Sequence, residues 1–207
     1  MTRRRRRGDA GQAFPIYLTV VAGLLFLAFA YLAVGQAGVN RNGAQTAADA
    51  AALAAAQNTR DQLAGAWVKD LLDPATWQDI FDGGVELNPS CWRAEQLAAQ
   101  NDATLRNCDA PDPLTYDVEV QTEKPVGRSV VPGTENMRST ASAKAVIEPL
   151  CTFELPGDGA AGTAGTGDAV DAVLPRLTCE DRNWELNPDD PLDLPGPEDL
   201  FDVHLAD

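Results

Sequence analysis

The sequence predicts an α+β protein in which a long N-terminal transmembrane helix continues into an extracytoplasmic helix, followed by a small antiparallel sheet with short helices. Three observations predict this fold class. An uncharged apolar run comes first, and an alanine-rich run follows it. The hydrophobic period then changes to two at Thr115, as in a strand with one buried face. Four cysteines, all beyond the apolar run, indicate two disulfides.

The apolar run has the length of a transmembrane helix. Residues 10–40 contain no charged side chain, and residues 14–34 are almost wholly apolar. About 20 residues, at 1.5 Å per residue, span the ~30 Å hydrocarbon core of a bilayer. We therefore expect a cytoplasmic leader over residues 1–13 and a membrane span over residues 14–37, with lipid as one partner.

Basic residues directly before this run predict its orientation. Because Lys and Arg favour the cytoplasmic side, the N-terminus is expected inside and the C-terminal domain outside a cytoplasmic membrane. The residues assigned as the cytoplasmic anchor are Arg3, Arg4, Arg5, Arg6 and Arg7. The alternative is a cleaved secretory signal, since Gly35 and Ala37 are small residues of the kind that a signal peptidase reads. A signal core of about 7 to 15 apolar residues is shorter than this run.

Alanine, the best helix former, dominates the next segment, so the helix is expected to continue over residues 38–73. Pro74 disfavours helical geometry in the residue before it, which sets the end. Two stripes of small residues are candidate helix-packing surfaces, because small side chains let a second helix approach closely. The alternative is that alanine is simply common in a GC-rich genome. The stripes consist of Ala30, Ala33 and Ala37 in the membrane and of Ala44, Ala48, Ala51 and Ala55 beyond it.

An extracytoplasmic α+β domain is expected over residues 74–156. A short helical segment at residues 76–81 precedes a helix over residues 91–100, in which Cys91, Trp92 and Leu97 are predicted to face the core. Strands are predicted from Thr115 to about residue 121 and over residues 141–147, because apolar and polar side chains alternate there. Residues 129–131 are a further candidate strand.

The cysteines are Cys91, Cys108, Cys151 and Cys179. Four cysteines allow three pairings, and proximity in sequence favours Cys91 with Cys108 and Cys151 with Cys179. Each bond would stabilise the fold by about 3 kcal/mol on the loop-entropy model. A zinc site would need closer pairs than these spacings supply.

Two segments complete the chain. Residues 157–168 are rich in glycine and have no large apolar side chain, so a flexible loop is expected. Residues 169–207 are acidic and rich in proline. Apolar residues spaced through this tail, among them Trp184, Leu200, Phe201 and Leu205, predict that it docks on the domain.

Charge and motifs argue against nucleic-acid binding and against catalysis. The formal net charge is -15, and such a surface repels phosphate groups. The chain has one histidine, His204, and lacks a P-loop, a dinucleotide-binding glycine motif and H-E-x-x-H. We therefore expect no enzyme activity, no catalytic residue, no cofactor and no metal.

The N-terminal third of the chain carries a family resemblance. Gly11-Gln12-Ala13, the apolar run and then residues 42–54 (NGAQTAADAAALA) resemble the N-terminal segment of TadE/TadG-like Flp pilus-assembly proteins. Residues 45–54 match that family's "Q-x-A-A-D-A-A-A-L-A" segment. The later stretch 130–136 looks like the extracytoplasmic part of actinobacterial members.

The resemblance implies a pilin-like architecture and a minor-pilin-like or assembly component of the tight-adherence pilus. It implies pilus or secretion-assembly proteins as partners. The implied mode of action is helix association, including self-association. The alternative is a membrane-tethered extracellular binding module unrelated to pili. The chain departs from the family pattern in two places. No glutamate follows Gly8 or Gly11 at the spacing that a prepilin peptidase site needs. The D-x-S-x-S metal motif of large members is also missing, so their metal-dependent adhesion does not carry over.

Overall fold

The computed structural model describes residues 13–126, 135–155, 174–180, 182–188, 190 and 193–206, with the side chains of residues 13, 33, 36 and 37 left aside. Helix α1, Ala13–Lys69, is unbroken over 57 residues. It ends four residues before the predicted position at residue 73. The reason is a turn after Lys69, in which the indole Nε1 of Trp77 donates to the carbonyl of Asp70 at 3.2 Å.

Short helices follow α1 where they were predicted. A 3-10 turn, Pro74–Thr76, leads into α2, Trp77–Phe81, and α3 spans Cys91–Gln100. The prediction that Trp92 faces the core is wrong, because the buried face of α3 carries Ala94 and Ala98 and Trp92 is 56% exposed. Its ring lies under the guanidinium of Arg93 instead.

A four-stranded antiparallel sheet in the described part of the chain carries α1 and α3 on one face. Its order is β1-β2-β3-β7. The strands are β1 Ala103–Asp112, β2 Thr115–Thr122, β3 Thr140–Pro149 and β7 Phe201–Leu205. The strands predicted from Thr115 and at residues 141–147 are therefore confirmed, whereas β1 and β7 were not predicted.

A smaller antiparallel sheet, in the order β4-β5-β6, lies at the end of β3. Its strands have three residues each: β4 Cys151–Phe153, β5 Leu177–Cys179 and β6 Arg182–Trp184. Cys151 and Cys179 are direct partners across β4 and β5. The chain then enters α4, Pro197–Leu200, and joins the large sheet as β7.

The core lies between the helices and the large sheet. Its centre is aromatic: the rings of Trp67 and Trp77 are 5.4 Å apart, and Phe81 packs on Phe201 at the same distance. Because Leu200 and Phe201 are buried, this end of the C-terminal tail does dock on the domain. The candidate strand at residues 129–131 and the glycine-rich segment 157–168 lie outside the described residues. The α+β fold with a long apolar N-terminal helix, an antiparallel sheet and two disulfides is as the sequence predicts.

Candidate membrane anchor and assembly surface

The first part of α1 is bare. From Phe14 to Leu32 its side chains project without cover from the rest of the chain, and this stretch is long and apolar enough to cross a membrane. Large side chains are among the most exposed, including Phe14, Phe26 and Tyr31. Because apolar surface costs about 25 cal/mol per Å² in water, a stretch of this kind fits a surrounding of lipid or of other apolar helices.

The one hydroxyl of a Thr or Ser side chain within this stretch is satisfied locally. The Oγ1 atom of Thr19 lies 2.8 Å from the carbonyl oxygen of Ile16 and 3.1 Å from that of Pro15. A threonine that donates to its own helix leaves no unpaired polar group, which hydrocarbon would penalise. The helix is therefore compatible with an apolar surrounding along this length.

The second part of α1 is covered by the chain's own domain. Its alanines pack on β2, β3 and α3, and Ala44, Ala48, Ala51 and Ala55 have no exposed surface. Small side chains let the helix axis lie close to the sheet, which explains the alanine-rich composition here. From Ala44 onward, the stripe that was predicted for contact with another helix is therefore covered by the chain's own domain.

A buried polar cluster joins this covered part to the sheet. The hydroxyl of Thr59 lies 2.7 Å from both the Ser90 hydroxyl and the Tyr116 hydroxyl, and all three residues are buried. The Ser90 hydroxyl also donates to the Asn58 side-chain oxygen at 3.0 Å. The cluster connects α1, the start of α3 and β2, so it determines where the domain sits along the helix.

A second polar contact lies where the bare and covered parts meet. The Asn40 side chain donates to the carbonyl of Lys124 at 3.1 Å and accepts from the backbone N–H of Ser139 at 3.2 Å. These partners belong to the two arms of the β2–β3 connection. Asn40 therefore holds this connection against the end of the bare helix.

The disulfides join Cys91 to Cys108 and Cys151 to Cys179, as proximity in sequence predicts. The first ties the start of α3 to β1, and the second closes the small sheet. The described part of the chain has no free cysteine. His204 lies on β7 with Nδ1 2.8 Å from Oδ2 of Asp202, and no group of three potential metal ligands occurs among the described residues.

Residues 11–58 of the chain match the family model described as "Putative Flp pilus-assembly TadE/G-like". The chain carries a TadE/G-like segment. No curated protein and no solved structure gives a significant match. The resemblance seen in the alanine-rich sequence is therefore confirmed for this segment, and the likeness of residues 130–136 to actinobacterial members stays a prediction.

The TadE/G-like segment coincides with the bare part of α1 and most of the alanine-rich part. By its description this family serves pilus assembly, which supports a role related to the Flp pilus. One apolar N-terminal helix also fits a single-pass membrane anchor for a pilus component. The family match ends at residue 58, one residue before the buried cluster of Thr59, Ser90 and Tyr116 begins.

The predicted site residues are distributed unevenly. Arg3 to Arg7 lie outside the described residues, and of the membrane stripe only Ala30 has a described side chain, which is exposed. Ala33 and Ala37 lie on α1 without described side chains. Sequence reasoning missed Asn40 and Thr59. Asn40 is the last residue of the uncharged run and Thr59 follows the alanine-rich run, but no local pattern identifies their partners.

Proposed function

We propose that this protein is a membrane-anchored structural or assembly component of a Flp, or tight-adherence, pilus, minor-pilin-like and acting by helix association. The observation that carries the proposal is that the TadE/G-like segment, residues 11–58, coincides with a helix whose first part has no cover of its own. A helix of this kind needs a partner surface. Lipid supplies it before assembly, and apolar helices of pilus or assembly proteins supply it afterwards.

The domain remains attached to the helix while the bare part is free to associate. Residues 13–43 of α1 extend about 45 Å at 1.5 Å per residue, enough to cross a bilayer and reach beyond it. Ala30 provides a small exposed position on that length, where a second helix can approach closely. Helix association through the Ala30, Ala33 and Ala37 stripe is the contact that we propose.

Orientation is part of the proposal. Arg3 to Arg7 keep the N-terminus in the cytoplasm, and the outer domain lies in an oxidising compartment. Two disulfides support this assignment, since such bonds persist outside the cytoplasm and are rare within it. Mass spectrometry of the mature N-terminus separates a retained anchor from a cleaved secretory signal.

Deletion of the gene in its native host, followed by imaging of surface filaments, tests the pilus role. We expect filaments to be lost or reduced and to return with the full-length chain. Unchanged filaments in the deletion strain would refute the proposal.

A matched pair of substitutions tests helix association. Ala30→Phe places a large ring on the proposed stripe, whereas Ala28→Phe places the same ring 200° away around the helix at 100° per residue. We expect Ala30→Phe to reduce cross-linking between bare helices and filament assembly, and Ala28→Phe to leave both close to wild type. Equal behaviour of the two variants would exclude the stripe as the contact.

A tethered binding module is the second candidate. The observation that favours it is that residues 59–207, which include most of the folded domain, lie outside the family match. In that case deletion would leave filaments unchanged while removing binding of a surface ligand, so the same deletion strain distinguishes the two functions.

A further inference from the structure

We infer that the partner of the bare helix is a short membrane helix that ends beneath the folded domain, and that a second copy of this chain cannot pack there in parallel. The inference rests on the proposed helix association and names the class of partner for it. The surface concerned is the face below the domain, defined by Phe26, Ala30, Val34 and Arg41 of α1.

This face has the same direction around α1 as the alanines that the domain covers. Ala30 precedes Ala48 by 18 residues, or about five full turns at 100° per residue. Phe26, Val34 and Arg41 lie within about 40° of the same direction. Phe26 and Val34 are 70% and 73% exposed, whereas Ala48 has no exposed surface. The side chains on this side of the helix are therefore exposed below the domain and covered within it.

The covered alanines show what occupies this side further along the helix. Strands β2 and β3 and helix α3 pack on α1 from Ala44 onward, and Ala44, Ala51 and Ala55 are fully buried. A second helix on Ala30 would lie about 8 to 10 Å from the α1 axis, the usual distance between packed helices. At a crossing angle of about 20° it would move sideways by only about 10 Å over the ~27 Å from Ala30 to Ala48. It would therefore run into the sheet and α3.

A second copy in parallel register carries its own helix past this level. Its α1 is unbroken to Lys69, so its covered part would need the space that the first copy's sheet occupies, and the reverse also holds. Parallel contact of two copies through this face is thus sterically excluded. A helix that stops before Ala44 on the outer side avoids this collision. The partner is therefore a helix without a straight extracytoplasmic continuation.

Charge at the outer end of the face adds the polarity of the partner. Arg41 is exposed and lies about 16 Å beyond Ala30 along the helix, directly before the covered part begins. A helix with its N-terminus inside ends there with its C-terminus, whose partial negative charge and carboxylate attract a guanidinium. An antiparallel helix would present its positive end instead. The complementary occupant is a short helix oriented like α1, with a carboxylate at its outer end.

A defined probe tests this partner class on the full chain. The probe is a synthetic peptide of residues 13–40, acetylated at its N-terminus and uncharged except for its C-terminal carboxylate. A cysteine replaces Ala30 in both the peptide and the full chain, whose native disulfides stay intact, in vesicles of phosphatidylethanolamine and phosphatidylglycerol. At equal concentrations, we expect a thiol-specific cross-linker to join peptide to full chain several-fold more often than full chain to full chain.

Ala28→Cys in both molecules is the matched control. Ala28 lies about 200° from Ala30 and has the direction of Thr46, whose side chain is exposed. We therefore expect peptide and full chain to cross-link alike at residue 28. Equal cross-linking of peptide and full chain at residue 30 would overturn the inference. The same preference for the peptide at both positions would also overturn it, because the domain would then act by its size and not by its place on the helix.

The contribution of charge is measured with the same probe. Amidation of the peptide's C-terminus, or Arg41→Gln in the full chain, should lower cross-linking at residue 30 by about two- to five-fold. Unchanged cross-linking in both cases would overturn the assignment of an acidic outer end. A peptide that does not cross-link at residue 30, together with lost filaments in the deletion strain, would overturn this inference while the pilus role stands. Unchanged filaments in that strain would refute the pilus role alone.

Discussion

The two parts of the continuous helix α1 differ in which side chains they expose and which they bury. In the bare part, residues 14–32, large apolar side chains such as Phe26 and Phe29 are exposed. In the covered part, residues 44–69, alanines such as Ala48 and Ala51 are fully buried. A helix surrounded by water would instead bury large apolar side chains of this kind.

The difference in exposure indicates that each part suits a different surrounding. Fluid lipid chains pack against large apolar side chains and adapt to an irregular helix surface, so that surface needs no specific shape. A sheet is rigid, so the helix that packs on it needs small side chains of defined volume. One continuous helix can thus present a large apolar surface without a specific shape at one end and a closely packed alanine surface at the other.

The largest effect is expected from removing the aromatic centre of the covered region. Trp67→Ala should lower the free energy of unfolding by about 3 to 5 kcal/mol, because Trp67 is fully buried and packs on Trp77. Trp92→Ala is the matched control and should change it by less than about 0.5 kcal/mol, since Trp92 is largely exposed. Urea unfolding of the full chain in detergent, followed by circular dichroism, measures both; similar losses would contradict the burial of Trp67 and the exposure of Trp92.

A charge in the bare part of α1 should weaken membrane insertion and leave the stability of the folded domain unchanged. Leu24→Arg places a guanidinium in the middle of the apolar stretch, at a cost of about 2.5 to 3.5 kcal/mol on insertion scales. We expect a smaller membrane-retained fraction after alkaline extraction. Leu72→Arg introduces the same charge at an exposed site of the domain and should leave retention unchanged. Retention of both variants alike would show that residues 14–32 do not span the bilayer.

The close fit of the covered part predicts a further difference. Ala51→Leu inserts three carbon atoms between α1 and the sheet, and overpacking of this kind costs about 1 to 3 kcal/mol. Ala30→Leu makes the same change where the helix is bare, so the urea midpoint of the domain should not move. A domain that tolerates Ala51→Leu as well as Ala30→Leu would not have the tight helix-to-sheet contact described above.

The buried hydroxyl cluster should have a comparable or smaller effect. Thr59→Val keeps the shape of the side chain but leaves the Ser90 and Tyr116 hydroxyls without their shared partner, at a cost of about 1 to 2 kcal/mol. Thr46→Val on the exposed side of α1 is the control. The expected result is a lower melting temperature for the first variant alone.

Much of the architecture was predictable because strong periodic signals mark it. Helix α3 has the predicted bounds, and in β2 buried side chains alternate strictly with half-buried or exposed ones. Strand β1 was missed for a physical reason: register shifts after Leu105 and after Asp109 break its alternation, and of its ten residues only Ala103 is fully buried. The three-residue strands of the small sheet are too short to show any period.

Strand β7 shows the alternation of a strand in its sequence, but that pattern was not used to predict one. Residues 201–205 alternate Phe201, Val203 and Leu205 with polar neighbours, as a strand does, but were predicted only to dock on the domain. The polar contacts of the candidate site were beyond sequence reasoning. Asn40 and Thr59 bond residues more than 30 positions away, and no local pattern encodes such partners.

Substitutions at two glycines should change the free energy of unfolding in opposite directions, and the change at Gly65 is the smallest expected. Gly65 lies in the covered part of α1 with open space where a Cβ would be placed, so Gly65→Ala should raise the free energy of unfolding by about 0.5 to 1 kcal/mol. Gly83 adopts φ +71°, and a Cβ there would lie 2.7 Å from Cβ of Pro113. Gly83→Ala should therefore destabilise the same domain by more than Gly65→Ala stabilises it. The two variants should shift the urea midpoint in opposite directions. A loss of stability in Gly65→Ala would mean that the space beside Gly65 is not open, as it is in the structure of the single chain.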